Sequence, residues 1–220
     1  LALPRRMLDS VPVNPGGGSI DMISDENILW APPEERHQIG TWNVTGIIAL
    51  AASCEQIMMC GWPTIVDHEQ ELIKYTLKKL TRVPGLTLYV PANKYLTEDR
   101  IGTFPFNLKG MHHALVASIL EHEYGIETRA GTICNHRLVR RWHHISGAEQ
   151  KKIEQKISQG DRLASYGIVR VSLGVQNTKE DIDILAEALT QISRGGPKLE
   201  YNAVPREEMF LPLDNGKYIP

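Results

Sequence analysis

The stretch Gly125-Ile-Glu-Thr-Arg-Ala-Gly-Thr-Ile-Cys134 decides how this chain is read. A helical pattern runs into Gly125, a short alternating run follows, and Gly131 breaks it. The pattern delivers a thiol onto a loop just past a strand end, and loops held by a rigid scaffold are where chemistry concentrates. Downstream, Gly167-Ile-Val-Arg-Val-Ser-Leu-Gly-Val-Gln-Asn-Thr178 answers it, with Arg170 inside an otherwise apolar strand. A charge there is costly unless it meets an anion, which is either a bound ligand or a buried Asp or Glu.

Working outward, the 220 residues form one or two domains and are ample for a packed core. A net charge of −2 gives no basic excess that would point to nucleic acid or an anionic membrane surface. The longest mainly apolar run, Val44 to Cys60, is interrupted by Thr45, Ser53, Glu55 and Gln56 and is no membrane span. Three cysteines without framework spacing suit a reducing cytoplasm. No signal peptide opens the chain, and it lacks an initiator methionine.

In chain order, residues 1 to 35 read as extended, with prolines at 4, 12, 15, 32 and 33. Gly16-Gly17-Gly18 permits either a close backbone approach or a flexible connection. A helix is expected over Val44 to Met59, apolar around much of its circumference and therefore buried, with Cys54 and Cys60 in the core. Gly40 and Thr41 precede it, where a helix N-terminus suits a phosphate and where Thr41 or Asn43 could equally be a plain N-cap. A second helix spans Thr64 to Arg82, with Val66, Ile73, Leu77 and Leu80 inward. Leu86 to Val90 reads as a strand, and Arg100 to Asn107 as another that Pro105 places at an edge or bulge. A helix from His112 to Tyr124 buries Leu115, Ile119 and Leu120. His112 and His113, adjacent and so divergent on a helix, read as packing and a helix start rather than a metal pair. The strand Ile126 to Ala130 leads to Cys134. Capping boxes at Ser146/Glu149 and Thr178/Asp181 open two further helices, the last with Ile182, Leu185, Leu189 and Ile192 at helical spacing. The expected fold is α/β, a two-layer sandwich of helices on a small, mainly antiparallel sheet. The boundaries are 1–60, 61–195, and an extended tail over 196–220.

Arg129-Ala-Gly131-Thr-Ile-Cys134, Arg170-Val-Ser172 and Asn177-Thr178 resemble, in order and spacing, the C-terminal part of the class V aminotransferases. This pyridoxal-phosphate family includes cysteine desulfurases and isopenicillin-epimerase-like proteins. Gly16-Gly17-Gly18 and Arg36-His-Gln-Ile-Gly40-Thr41-Trp-Asn43 agree with it, so the resemblance runs from residue 14 to 193. It implies that residues 61–195 are the small domain of a fold-type-I enzyme. Residues 1–60 would be a remnant of the large domain with a dimer-facing helix. It further implies that Arg170 holds the α-carboxylate of an amino-acid substrate, and that Gly40 and Thr41 reach the cofactor phosphate of the neighbouring subunit of a homodimer. In desulfurases a cysteine at the place of Cys134 takes up the substrate sulfur, helped by an electropositive neighbourhood such as Arg129, His136 and Arg137. Thr132-Ile133 stands where many desulfurases carry histidines. An aminotransferase or epimerase that does not use Cys134 therefore stays open, as does a non-catalytic dimerisation module. The family's Schiff-base lysine, in a Ser/Gly-His-Lys context, has no counterpart here. The chain is accordingly expected to be the C-terminal portion of a longer enzyme, inactive alone and able to bind its missing N-terminal portion.

Overall fold

A computed structural model of the chain describes residues 4–89, 100–214 and 217–218. It divides into two compact units, Leu1–Gly61 and Trp62–Pro220.

In the first unit a short helix α1 (Arg5–Leu8) precedes an antiparallel hairpin of β1 (Ile20–Ile23) and β2 (Ile28–Trp30). The triple glycine is a fitted joint rather than a flexible connection. Gly40 N–H donates to the Gly17 carbonyl at 2.8 Å, and a Cβ on Gly16 would lie 2.5 Å from Ile39 Cγ2. Helix α2 (Val44–Cys60) follows, and Asn43 is its N-cap, accepting from Gly46 N–H at 3.0 Å. Its apolar composition predicts burial, yet every residue of α2 is exposed, Cys54 and Cys60 included. Among the described residues of its own unit none covers the helix, so its apolar surface joins no core there.

The second unit carries the core. Helix α3 (Trp62–Leu80) buries Ile73, Leu77 and Leu80, one stripe at helical spacing, while Val66 is only half-buried. Strands β3 (Leu86–Leu88) and β4 (Thr103–Leu108) pair antiparallel; Val90, expected to extend β3, lies outside the described residues. Helix α4 (His113–Tyr124) buries Val116, Ile119 and Leu120 and ends at Gly125, whose left-handed φ of 66° caps it. Strand β5 (Arg129–Gly131), helices α5 (His136–Trp142) and α6 (Gly147–Ser158), strand β6 (Ile168–Ser172) and helix α7 (Lys179–Gly195) complete it. Both expected capping boxes form, at Ser146/Glu149 and Thr178/Asp181.

The sheet runs β3-β4-β6-β5, antiparallel throughout, so the architecture is α/β as expected. Phe104, Phe106, Val169 and Val171 point from it into a cluster with α3, α4 and α7. Full burial of each such side chain is worth roughly 1.5–3 kcal/mol. All four expected apolar residues of α7 are buried, and Asp183 ties that helix to α3 by accepting from Tyr75 Oη at 3.0 Å.

Two expectations are corrected. Pro105 is not on an edge strand, since β4 lies between β3 and β6. Its carbonyl accepts from Tyr89 N–H at 3.0 Å, and the N–H it lacks would have pointed the same way, where β3 has already ended. The segment after Gly196 is not simply an extended tail. Strands β7 (Glu200–Val204), β8 (Met209–Asp214) and β9 (Lys217–Tyr218) form an antiparallel sheet. Pro205 opens the tight turn between β7 and β8, where a missing N–H costs nothing. Ser118 Oγ of α4 donates to the Phe210 carbonyl at 2.6 Å and seats β8.

Candidate active site

The face of the sheet opposite the core carries the polar chemistry. Period-two alternation puts Ile168 and Arg170 of β6 on that face, and cross-strand pairing adds Arg129, opposite Arg170 on β5, and Pro105 on β4. Helix α5 lies over this face. Its Val139 is buried, Trp142 stacks on Tyr89 with ring centroids 5.1 Å apart, and His143 just beyond hydrogen-bonds the Gly167 carbonyl at 2.9 Å. A pocket of about 170 Å³ remains between them, lined by Thr103, Pro105, Val139 and Trp142 together with Thr132, Ile133, Asn135 and Arg170.

Arg170 is half-buried in this pocket, and its Nε is buried with no hydrogen-bond partner among the described residues. The internal ion pair that the sequence left open is not present among them. A buried donor left unmade costs ~1–3 kcal/mol, more when charged. A planar, acceptor-bearing anion entering the pocket would remove that cost, and a carboxylate matches the guanidinium fork.

Cys134 sits at the tip of a tight turn beside the same pocket. Asn135 N–H donates to the Thr132 carbonyl at 2.9 Å, and the two central residues, Ile133 and Cys134, have φ of 50° and 58°. Positive φ at both central positions belongs to glycine and asparagine, and a β-branched residue there is a genuine outlier. Each such residue costs of order 1–3 kcal/mol. Thr132 Oγ1 and His136 Nε2, 3.2 Å apart, close the turn from the side. The result is an exposed free thiol on a constrained loop.

Gly40 and Thr41 belong to the first unit, whereas Arg170 and Cys134 belong to the second. Thr41 is exposed, but the Gly40 N–H is already given to Gly17 and Asn43 occupies the N-cap of α2. At the start of α2 the described residues therefore offer a phosphate little beyond Thr41. Among the described residues no lysine lines the Arg170 pocket. The residues present fit the carboxylate of a substrate and do not by themselves fit pyridoxal phosphate.

Helix α5 was missed in the sequence. Its signals are short: an Asn at 135 and the apolar set Leu138, Val139 and Trp142 within a basic stretch. The pair His112 and His113 provides the helix start and the packing expected of it. His113 is 4% exposed, and the ring of His112, which caps α4 by accepting from Ala114 N–H at 3.2 Å, lies 4.1 Å away. Burial, then the neighbouring His112, push the His113 imidazole down to about 3, which the Ser165 backbone only partly opposes.

Residues 1–185 match the family described as aminotransferase class-V. Cysteine desulfurases of Salmonella typhimurium and Salmonella typhi are each 35% identical over 200 residues, covering 88% of this chain and 41% of those proteins. The apo structure of a cysteine desulfurase from Thermococcus onnurineus NA1 superposes with a TM-score of 0.66 at 28% identity, over 84% of this chain and 40% of that one. The cysteine desulfurase CsdA of Escherichia coli, in its S-sulfonic acid form, shares the fold with a TM-score of 0.62 at 23% identity, over 86% and 40%. The chain thus spans about two fifths of the length of these relatives.

Proposed function

The chain belongs to the class V aminotransferase family, and from that premise we propose that it supplies the substrate-binding and sulfur-accepting part of a cysteine desulfurase. The family depends on pyridoxal phosphate, whose chemistry is that of an electron sink. The remaining polypeptide of the complete enzyme would hold the cofactor, with Thr41 as this chain's contact to its phosphate. The single observation that carries the reading is the orphaned Nε of Arg170, a residue that lines the same pocket as Thr132, Ile133 and Asn135 of the Cys134 turn.

In this reading Arg170 grips the α-carboxylate of L-cysteine and fixes the substrate against the sheet. The Cys134 thiolate attacks the substrate sulfur. A sulfur–sulfur bond forms as the substrate carbon–sulfur bond breaks, and the bonding pair stays with carbon, which is then protonated. The balance is one thiol plus L-cysteine giving one persulfide plus L-alanine. The strained turn holds the thiol outward, where a second thiol could collect the sulfur. Exposed α2 supports cover by the rest of the polypeptide or by the second subunit of a homodimer, and three unpaired thiols support a cytoplasmic setting. A second reading, an aminotransferase or epimerase using Arg170 alone, draws on Thr132-Ile133 in place of histidines before Cys134.

The test is to supply the complete enzyme with L-cysteine and measure alanine and persulfide together. Equal amounts are expected from the parent, and no persulfide from Cys134→Ala. A Cys134→Ala enzyme that still transfers sulfur at the parental rate would remove Cys134 from the reaction and leave the second reading in front.

A further inference from the structure

A second cavity lies on the far side of α5 from the Arg170 pocket. It is an open cleft of about 610 Å³ lined by Arg137, Arg140, Arg141, His144 and Ile145. Small-molecule sites commonly fall between roughly 300 and 1,000 Å³.

The sequence concentrates charge here in a way the whole chain does not. The net charge is −2, yet no carboxylate occurs between Glu127 and Glu149, a stretch that contains Arg129, Arg137, Arg140 and Arg141. Among the described residues none of the three cavity arginines forms an ion pair. Cations at the last turn of a helix are favoured by its dipole, which accounts for Arg140 and Arg141 but not for Arg137, one turn earlier. Nor does it explain why all three border one concavity, where low-dielectric walls concentrate their field.

The cavity is also built. Ile145 N–H donates to the Arg140 carbonyl at 3.2 Å, and Arg140 Nε–H donates back to the Ile145 carbonyl at 3.1 Å. His144, with φ of 52°, turns the chain so that this reciprocal pair can close. The half-buried Arg140 guanidinium is thereby anchored at Nε, and neither terminal nitrogen has a hydrogen-bond partner among the described residues. Arginine forks fit phosphate oxygens two at a time.

We propose that Arg137, Arg140, Arg141 and His144 form a binding site for a small molecule bearing a phosphate chain, separate from the Arg170 pocket. The proposal does not depend on the desulfurase reading. Titration calorimetry of the full chain with inorganic pyrophosphate, and in parallel with ATP, tests it. Saturable binding is expected. Equal affinities would assign the site to an inorganic phosphate chain, and tighter ATP binding would extend it to a nucleotide. Arg137→Gln with Arg141→Gln, both exposed positions, should weaken pyrophosphate roughly 10- to 100-fold, the loss that goes with charge-assisted hydrogen bonds. Arg170→Ala should leave it unchanged. No saturable binding, equal binding by the double variant, or loss in Arg170→Ala instead would each overturn the proposal.

Discussion

Arg129 and Arg170 stand directly opposite one another across the β5–β6 pair, two like charges on the outer face of the sheet. Directly opposed like charges destabilise a strand pair by roughly 0.2–1 kcal/mol. The arrangement makes sense where an anion is to be received between them. Among the described residues no carboxylate pairs with Arg170, and the neighbour that register assigns to it is another cation.

Arg129→Gln should therefore stabilise the ligand-free chain at low ionic strength, by roughly 0.2–1 kcal/mol. Added salt should erase the gain, because screening already relieves the parent. Chemical denaturation of both proteins at low and high salt measures it. A gain that persists in high salt, or no gain at either, would separate the two guanidinium groups electrostatically.

Gly167 is buried against His113 so closely that a Cβ would lie 2.4 Å from the imidazole Nε2. Its carbonyl also accepts from Asn107 Nδ2 at 2.9 Å and bonds His143 Nε2 at 2.9 Å, so the backbone cannot simply withdraw. Gly167→Ala should cost roughly 1–3 kcal/mol through overpacking. In a double-mutant cycle, His113→Ala should absorb most of that cost. Strictly additive effects would mean that the two residues do not meet.

Buried His113 links stability to acidity. Its folded pKa of about 3 lies below the unfolded value of 6.5, so between these limits the unfolded chain binds the extra proton. The contribution is complete above pH 6.5 and is lost as pH falls toward 3, at ~1.4 kcal/mol per unit once the unfolded imidazole is charged. His112 and His143 oppose protonation of His113, while Glu208, with Oε1 4.0 Å away, favours it. Unfolding free energies of the parent and of His113→Gln between pH 7 and pH 4.5 should show the extra slope in the parent alone. Parallel curves would contradict it.

Much of this was legible in the sequence because it rests on local chemistry. The two capping boxes, the α7 stripe of Ile182, Leu185, Leu189 and Ile192, and the Gly125 stop each follow from neighbours a turn apart. The loop position of Cys134 and the strand position of Arg170 are each readable in their own segment, while the charge opposite Arg170 depends on strand register, which no single segment encodes. Pro105 was misassigned for the same reason, since whether its missing N–H matters depends on where β3 stops. The exposure of α2 shows the reverse limit: a mainly apolar helix demands cover but does not say what provides it.

The account turns on Arg170 as the seat of a substrate carboxylate. The most direct measurement compares inhibition of the complete enzyme by L-alanine and by L-alanine methyl ester, in the parent, Arg170→Ala and Arg170→Lys. The parent should strongly prefer the free acid. Arg170→Ala should lose roughly 2–5 kcal/mol of that preference, and Arg170→Lys should recover little, because a point charge does not reproduce the fork. Undiminished preference for the free acid in Arg170→Ala would place the carboxylate elsewhere and contradict the assignment.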